Sequence, residues 1–139
     1  MLANFPVIAT IPCTDLERAR RFYGGTLGLP DVKLPMPSDS EGRPVGVAFR
    51  GGEGTMIFVY LRDEPPASNH TAASWLVEDF DTVIDDLIKR GITFETYPDM
   101  PDVEWDVRGV ASGPNSEYRS AWFSDPDGSI LAINSKPGE

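Results

Sequence analysis

The stretch Ser124-Asp125-Pro126-Asp127-Gly128-Ser129-Ile130-Leu131-Ala132-Ile133-Asn134-Ser135 reads as a tight turn feeding a strand. Proline at the second turn position and glycine at the fourth suit a type I turn closed by a left-handed residue, and apolar residues follow at once. Residues 118–124 are strand-like on the other side, so 118–124 and 129–134 are predicted to pair as a hairpin. Upstream, residues 98–117 show no periodicity and read as a loop of about 20 residues, long enough to make a functional or lid role more plausible than usual. Residues 93–97 are predicted as a strand. Before it, Asp79 is expected to cap a helix carrying Phe80, Val83, Ile84, Leu87 and Ile88 on one face, with Gly91 at its end. Residues 71–77 form the strand that precedes that helix.

The same order opens the chain. Residues 5–12 are apolar and β-branched, with prolines that suit a strand end or a sheet edge. Thr14 or Asp15 then caps a helix in which Leu16, Ala19, Phe22, Tyr23 and Leu27 recur at helical spacing, and Gly28 ends it. Residues 32–44 are rich in proline, serine, aspartate and glycine and leave room for only a short or irregular strand. Residues 45–49 and 55–61 follow as a hairpin. Residues 63–69 are polar and proline-rich, and they read as a linker. The chain is therefore one domain over 1–139, built of two βαβββ modules at about 1–62 and 70–139.

Composition narrows the function. With 22 acidic against 12 basic side chains the net charge is −10, which repels phosphate backbones and argues against nucleic acid as a partner. No apolar run approaches the roughly 18 residues a membrane span needs. The first ten residues lack the basic and small-residue pattern of a signal peptide, and the single cysteine, Cys13, has no internal partner; both favour a cytoplasmic location. Gly51-Gly52-Glu53-Gly54-Thr55 lacks the lysine and following helix of a phosphate-binding loop.

Three phrases in order, TDLERARRFYGGTLGL from Thr14, VEDFDTVIDDLIKRGI from Val77 and AWFSDPDGSILAI from Ala121, resemble the glyoxalase/bleomycin resistance/dioxygenase superfamily, also called vicinal oxygen chelate proteins. The resemblance covers nearly the whole chain. It implies an α+β fold in which two βαβββ modules curl mixed sheets into a cup, and commonly a homodimer. Metal-binding relatives carry histidine or glutamine, glutamate, histidine and glutamate on the first and last strand of each module. Laid on this chain, those positions fall on Ile8, on Phe58 or Val59, on Ala72 and on Ala132. None of these side chains offers the nitrogen or oxygen donors a divalent ion needs, so no metal and no other cofactor is expected.

The expected function is that of a metal-free superfamily protein binding a small organic molecule in the cup, of which drug sequestration is one form. Residues 69–81 resemble the corresponding part of bleomycin resistance proteins. The alternative is a metal-dependent lyase, isomerase or dioxygenase with displaced ligands, such as His70 with Glu78 or Glu104. A third reading is a structural module that uses the fold for dimerisation alone. Phe58, Tyr60, Trp75, Trp105, Tyr118 and Trp122 are candidate pocket-lining residues, as is Phe49, although aromatic stripes on strands also serve plain core packing. Trp105 stands among Asp99, Asp102, Glu104 and Asp106, a setting for a planar or cationic ligand. His70, the one imidazole, is the first candidate for acid or base catalysis, although its place at the linker end fits an idle surface histidine better.

Overall fold

The computed structural model describes residues 1–114 and 118–136. The first half supplies β1 (Ala9–Cys13), β2 (Asp31–Val32), β3 (Gly46–Arg50) and β4 (Met56–Leu61), arranged in the order β1-β4-β3-β2. β1 runs parallel to β4, and the other pairs are antiparallel. Strand alternation explains the burial: Ile11 and Cys13 turn inward while Thr10 is exposed. Pro12 lacks a ladder donor and is tolerated because β1 lies at the sheet edge.

Between β1 and β2 the predicted helix forms, with a different ladder from the one its spacing implied. Asp15 caps it, its carboxylate accepting from Arg18 N at 3.0 Å. Only α1 (Leu16–Ala19) is α-helical, and Arg20–Thr26 continues as a π-helix in which Leu27 N donates to Phe22 O at 2.9 Å. Gly24 and Gly25 carry no side chains to hold the tighter ladder. The wider turn buries Tyr23 completely, stacked on Phe49 at 5.8 Å. A Cβ on Gly24 would already touch the Phe49 ring at 3.4 Å. Phe49, a candidate pocket residue in the sequence, is thereby core.

The second half supplies β5 (Thr71–Val77), α2 (Phe80–Lys89), β6 (Glu104–Trp105), β7 (Ala111–Ser112), β8 (Arg119–Ser124) and β9 (Ile130–Ser135). Its sheet runs β5-β9-β8-β7-β6, with β5 parallel to β9. Ala121, Phe123, Leu131 and Ile133 lie on one face, all nearly inaccessible, and α2 packs on β9 with Phe80, Ile84 and Leu87 buried. Burying each such large side chain contributes about 1.5–3 kcal/mol. Asp79 occupies the helix cap but adopts a left-handed backbone, φ 50, and makes no capping hydrogen bond, unlike Asp15.

Two expectations are corrected here. Residues 93–97 form no strand, only a single bridge from Glu95 to Trp122, because Pro98 has no N–H with which to continue the ladder. Residues 98–117 are not a plain loop: β6 and β7 pair through Glu104 with Ser112 and Trp105 with Ala111. Asp106 closes that hairpin, its Oδ1 accepting from Arg108 N and Val110 N at 2.8 and 3.0 Å. Residues 115–117 of this segment lie outside the described residues. The turn after β8 behaves as its sequence demands, with Gly128 at φ 91.

The chain divides into two compact units, Met1–Ser68 with the turn Pro126–Ser129, and Asn69–Asp125 with the chain from Ile130 onward. Within the first unit, Asp127 accepts from Thr14 N at 2.9 Å, Thr14 Oγ1 at 2.6 Å and Arg18 at 2.8 Å. Each sheet is mixed and none closes into a barrel, so the fold is α+β.

Candidate functional site

The face of the second sheet opposite α2 carries a cavity of about 460 Å³. Strand register builds its floor. Ser74 pairs with Ala132, Trp122 with Ala132 and Ser120 with Asn134, so these five side chains share one face across β5, β9 and β8. Ala111, Ser112 and Gly113 extend it along β7, and Met100, Val103 and Tyr118 complete the lining.

A β-bulge decides what β5 contributes. Thr71 pairs with Ile130 and Ala73 with Leu131, so two residues of β5 advance for one of β9. Thr71 and Ser74 both line the cavity, although residues three apart in an unbroken strand would face opposite sides. Ala72, the ligand position expected on this strand, is the residue the bulge displaces.

Trp122 is held from behind. Tyr97 meets it edge-on at 5.6 Å and Trp105 lies tilted against it at 6.0 Å, with Tyr97 and Trp105 themselves 6.4 Å apart. Glu95 fixes this cluster, its carboxylate accepting from Tyr97 OH at 3.1 Å and from Ser124 Oγ at 2.6 Å. Burial first, and the neighbouring Glu95 second, push the Tyr97 phenol above its ordinary range, so it stays a donor at neutral pH.

Of the aromatic candidates, Trp122 and Tyr118 line the cavity and Trp105 stands behind Trp122. Trp75 pairs with Ile133 and therefore shares the opposite, helix-covered face. Phe58 and Tyr60 belong to the first unit, where their rings stack at 6.4 Å. Tyr60 also borders a separate depression of about 440 Å³ with Arg62 and the Asp63-Glu64-Pro65-Pro66 segment. His70 is exposed just before β5 and is not among the described residues lining either space. Cys13 is buried.

Arg108 and Arg119 are engaged by carboxylates of their own unit. Arg108 pairs with Asp81 at 2.8 Å, Asp106 at 2.9 Å and Asp85 at 3.1 Å, and Arg119 pairs with Asp81 at 2.9 Å while lying 4.6 Å over the Phe80 ring. Hydrogen bonds from Arg108 and then Arg119 hold the Asp81 carboxyl below its usual range. Glu78, a displaced-ligand candidate, is bound by Lys136 at 2.6 Å.

The superfamily's metal positions do not fit a metal here. On β4, Phe58 pairs with Thr10 and is half-buried, whereas Val59 is fully buried in the core with Ile11 and Val47. The carbon side chains of Ile8, Phe58 and Ala132 have no lone pairs. The hydroxyl of Thr71, which the bulge brings in where Ala72 was expected, is a weak ligand beside imidazole or carboxylate. Among the described residues no three histidine, cysteine, aspartate or glutamate side chains stand close enough to hold an ion. Sequence reasoning missed Thr71, Ser74, Ser120 and Asn134. The signal available for Ser120 and Asn134 was their alternation with core residues along β8 and β9, polar side chains at positions where one face of the strand has no apolar cover; the bulge in β5 hid Thr71 and Ser74.

No helix among the described residues is long and apolar enough to cross a membrane. A search of curated proteins returned no match. Among solved structures, the chain is similar to a glyoxalase family protein of Enterococcus faecalis, with 18% identity over 96% of this chain and 99% of that one and a TM-score of 0.65. It is similar also to a glyoxalase/bleomycin resistance protein/dioxygenase of Alicyclobacillus acidocaldarius, with 19% identity over 98% and 93% and a TM-score of 0.66. A member of the glyoxalase/bleomycin resistance protein/dioxygenase superfamily from Sphaerobacter thermophilus reaches 28% identity over 95% and 97%, with a TM-score of 0.61. With a profile of that superfamily matching residues 6–133, the chain belongs to the Glyoxalase/Bleomycin resistance protein/Dioxygenase superfamily.

Proposed function

We propose that this protein is a metal-independent member of the superfamily that binds a small organic molecule in the cavity of its second module. The observation that carries the reading is Ala132: a methyl group on the cavity floor, between Ser74 and Trp122, at the position to which the family resemblance assigns a carboxylate in metal-dependent relatives. A cavity of about 460 Å³ with an aromatic wall and a few polar groups has the form of a small-molecule site. Sequestration of a drug is one form this function takes. The reading also carries forward a homodimer and a cytoplasmic location as expectations.

The test is a fragment titration followed by two-dimensional NMR with the Trp122 indole and Asn134 amide as reporters, run with and without EDTA. The reading expects fragments that shift both signals equally in the two conditions. Binding that vanishes with EDTA and returns with a divalent ion would contradict it.

A further inference from the structure

Among the described residues, the lining contains hydroxyls, one carboxamide, one phenol, aromatic and aliphatic groups, and no side chain that is charged at neutral pH. A charged ligand entering it would shed hydration with no counter-charge to replace it, whereas a neutral ligand loses only hydrogen bonds that the wall returns. This is notable in a chain of net charge −10. Of the basic side chains on or next to β8 and β9, Arg119 pairs with Asp81 and Lys136 with Glu78. Asp99, Asp102 and Glu104, around the Met100 and Val103 wall, are exposed to solvent and screened.

One pair on the floor reads a particular edge. Ser120 is 4% exposed, and its hydroxyl donates to Asn134 Oδ1 at 2.8 Å. That bond uses the one hydrogen of Ser120, so Oγ remains an acceptor, and it fixes the Asn134 amide with Nδ2 as the donor. An acceptor and a donor therefore stand side by side, beside the Trp122 ring. The complementary group carries an N–H next to a C=O: the edge of a lactam or secondary amide. Trp122, fixed by Tyr97 and Trp105, offers a rigid face for a planar ring.

We infer that the ligand is an uncharged planar heterocycle with a lactam-type edge, its C=O accepting from Asn134 Nδ2 and its N–H donating to Ser120 Oγ. This rests on the small-molecule reading above and gives it a chemical class, one that sets the protein apart from a binder of cationic antibiotics.

The experiment titrates four bicyclic probes of one size into the full chain: 2-quinolinone, N-methyl-2-quinolinone, N-methylquinolinium and quinoline-2-carboxylate. Affinity is read by calorimetry and the site by the Trp122 and Asn134 NMR signals. 2-Quinolinone is expected to bind at least about tenfold more tightly than each of the other three, which lack the N–H or carry a charge. Ser120→Ala and Asn134→Leu, each checked by its NMR spectrum for an intact fold, are expected to weaken 2-quinolinone about tenfold and to leave N-methyl-2-quinolinone less affected by Ser120→Ala. If the cation or the anion shifts the cavity signals and binds as tightly as 2-quinolinone, the class falls and the small-molecule reading stands. If Ser120→Ala binds 2-quinolinone as the parent does, the edge assignment falls. If no probe moves either signal at about 10 mM, both the class and the cavity reading fall.

Discussion

The four-stranded sheet of the first unit and the five-stranded sheet of the second each pair their first strand in parallel with their last, and they differ in how the closing hairpin uses one of its faces. In the first, β3 and β4 set Ala48 opposite Phe58 and Gly46 opposite Tyr60; in the second, the matching positions are Trp122 opposite Ala132 and Ser120 opposite Asn134. The large ring has moved from the last strand to the one before it. In the first module Phe58 lies across Gly46, so close that a Cβ there would stand 2.6 Å from the ring, and the hairpin face is filled. In the second, Trp122 is drawn back by Tyr97 and Trp105, and Ala132 leaves the space open. One scaffold thus yields a packed face and a cavity through the placement of one aromatic residue in each hairpin.

The largest effects should be symmetrical. Phe49→Ala and Phe123→Ala each remove a ring that is 1% exposed, and each is expected to lower stability by about 3–5 kcal/mol in urea unfolding. A much smaller loss in the second module would break the equivalence of the two cores.

The hairpin turns sharpen the contrast next. The turn between β3 and β4 closes on itself, Thr55 Oγ1 donating to Gly52 O at 2.7 Å, whereas the turn between β8 and β9 is tied through Asp127 to Thr14 and Arg18. Burial raises the Asp127 carboxyl, but the Thr14 hydrogen bonds and the Arg18 charge outweigh it and leave the group below its usual range. A carboxyl lowered in the folded state stabilises fully above its unfolded pKa of about 3.9, and that stability is lost as pH falls through the lower folded value. Asp127→Ala is expected to cost about 1–3 kcal/mol at pH 7. Comparing the two proteins by thermal melts from pH 7 to pH 2 should show the gap narrowing only below about pH 4; a gap already closing near pH 6 would contradict the assignment.

An effect of similar size is expected at Gly46. Gly46→Ala should destabilise by about 1–3 kcal/mol by pushing the Phe58 ring, and Phe58→Ala should relieve at least about 0.5 kcal/mol of that in a double-mutant cycle. Additive losses would mean the ring does not fill the face. Ala132→Phe should cost about 1–3 kcal/mol, because Ala132 is only 2% exposed and the ring must push its neighbours as it grows into the cavity, while 2-quinolinone affinity falls at least about tenfold. Undiminished affinity would move the ligand out of the cavity.

How much of this was legible follows from what leaves a mark in sequence. Asp125-Pro126-Asp127-Gly128 is punctuated by residues with strict backbone demands, so the turn and its hairpin were readable. The helix after Asp15 was readable in position but not in kind, because seven residues cannot separate a π period from an α one. The bulge in β5 left no trace, since Thr71-Ala72-Ala73 are small residues that fit either face. That silence hid which residue of this strand reaches the cavity, Thr71 and not Ala72. The β6–β7 hairpin was hidden because its strands are two residues long and lie among acids and prolines. Trp105 was singled out for its acidic neighbours, yet its contact is with Trp122, a partner that only tertiary pairing reveals. The polar part of the cavity floor was the least legible, being two serines and one asparagine whose register, not identity, gives them a role.

The central claim, ligand binding without a metal, is tested most directly by native mass spectrometry of protein purified without chelator. It reports bound ions, retained organic mass and oligomeric state in one spectrum. The account predicts less than about a tenth of an equivalent of transition metal and no uptake on reconstitution, with any retained mass that of an organic molecule. A stoichiometric divalent ion that survives buffer exchange would contradict it.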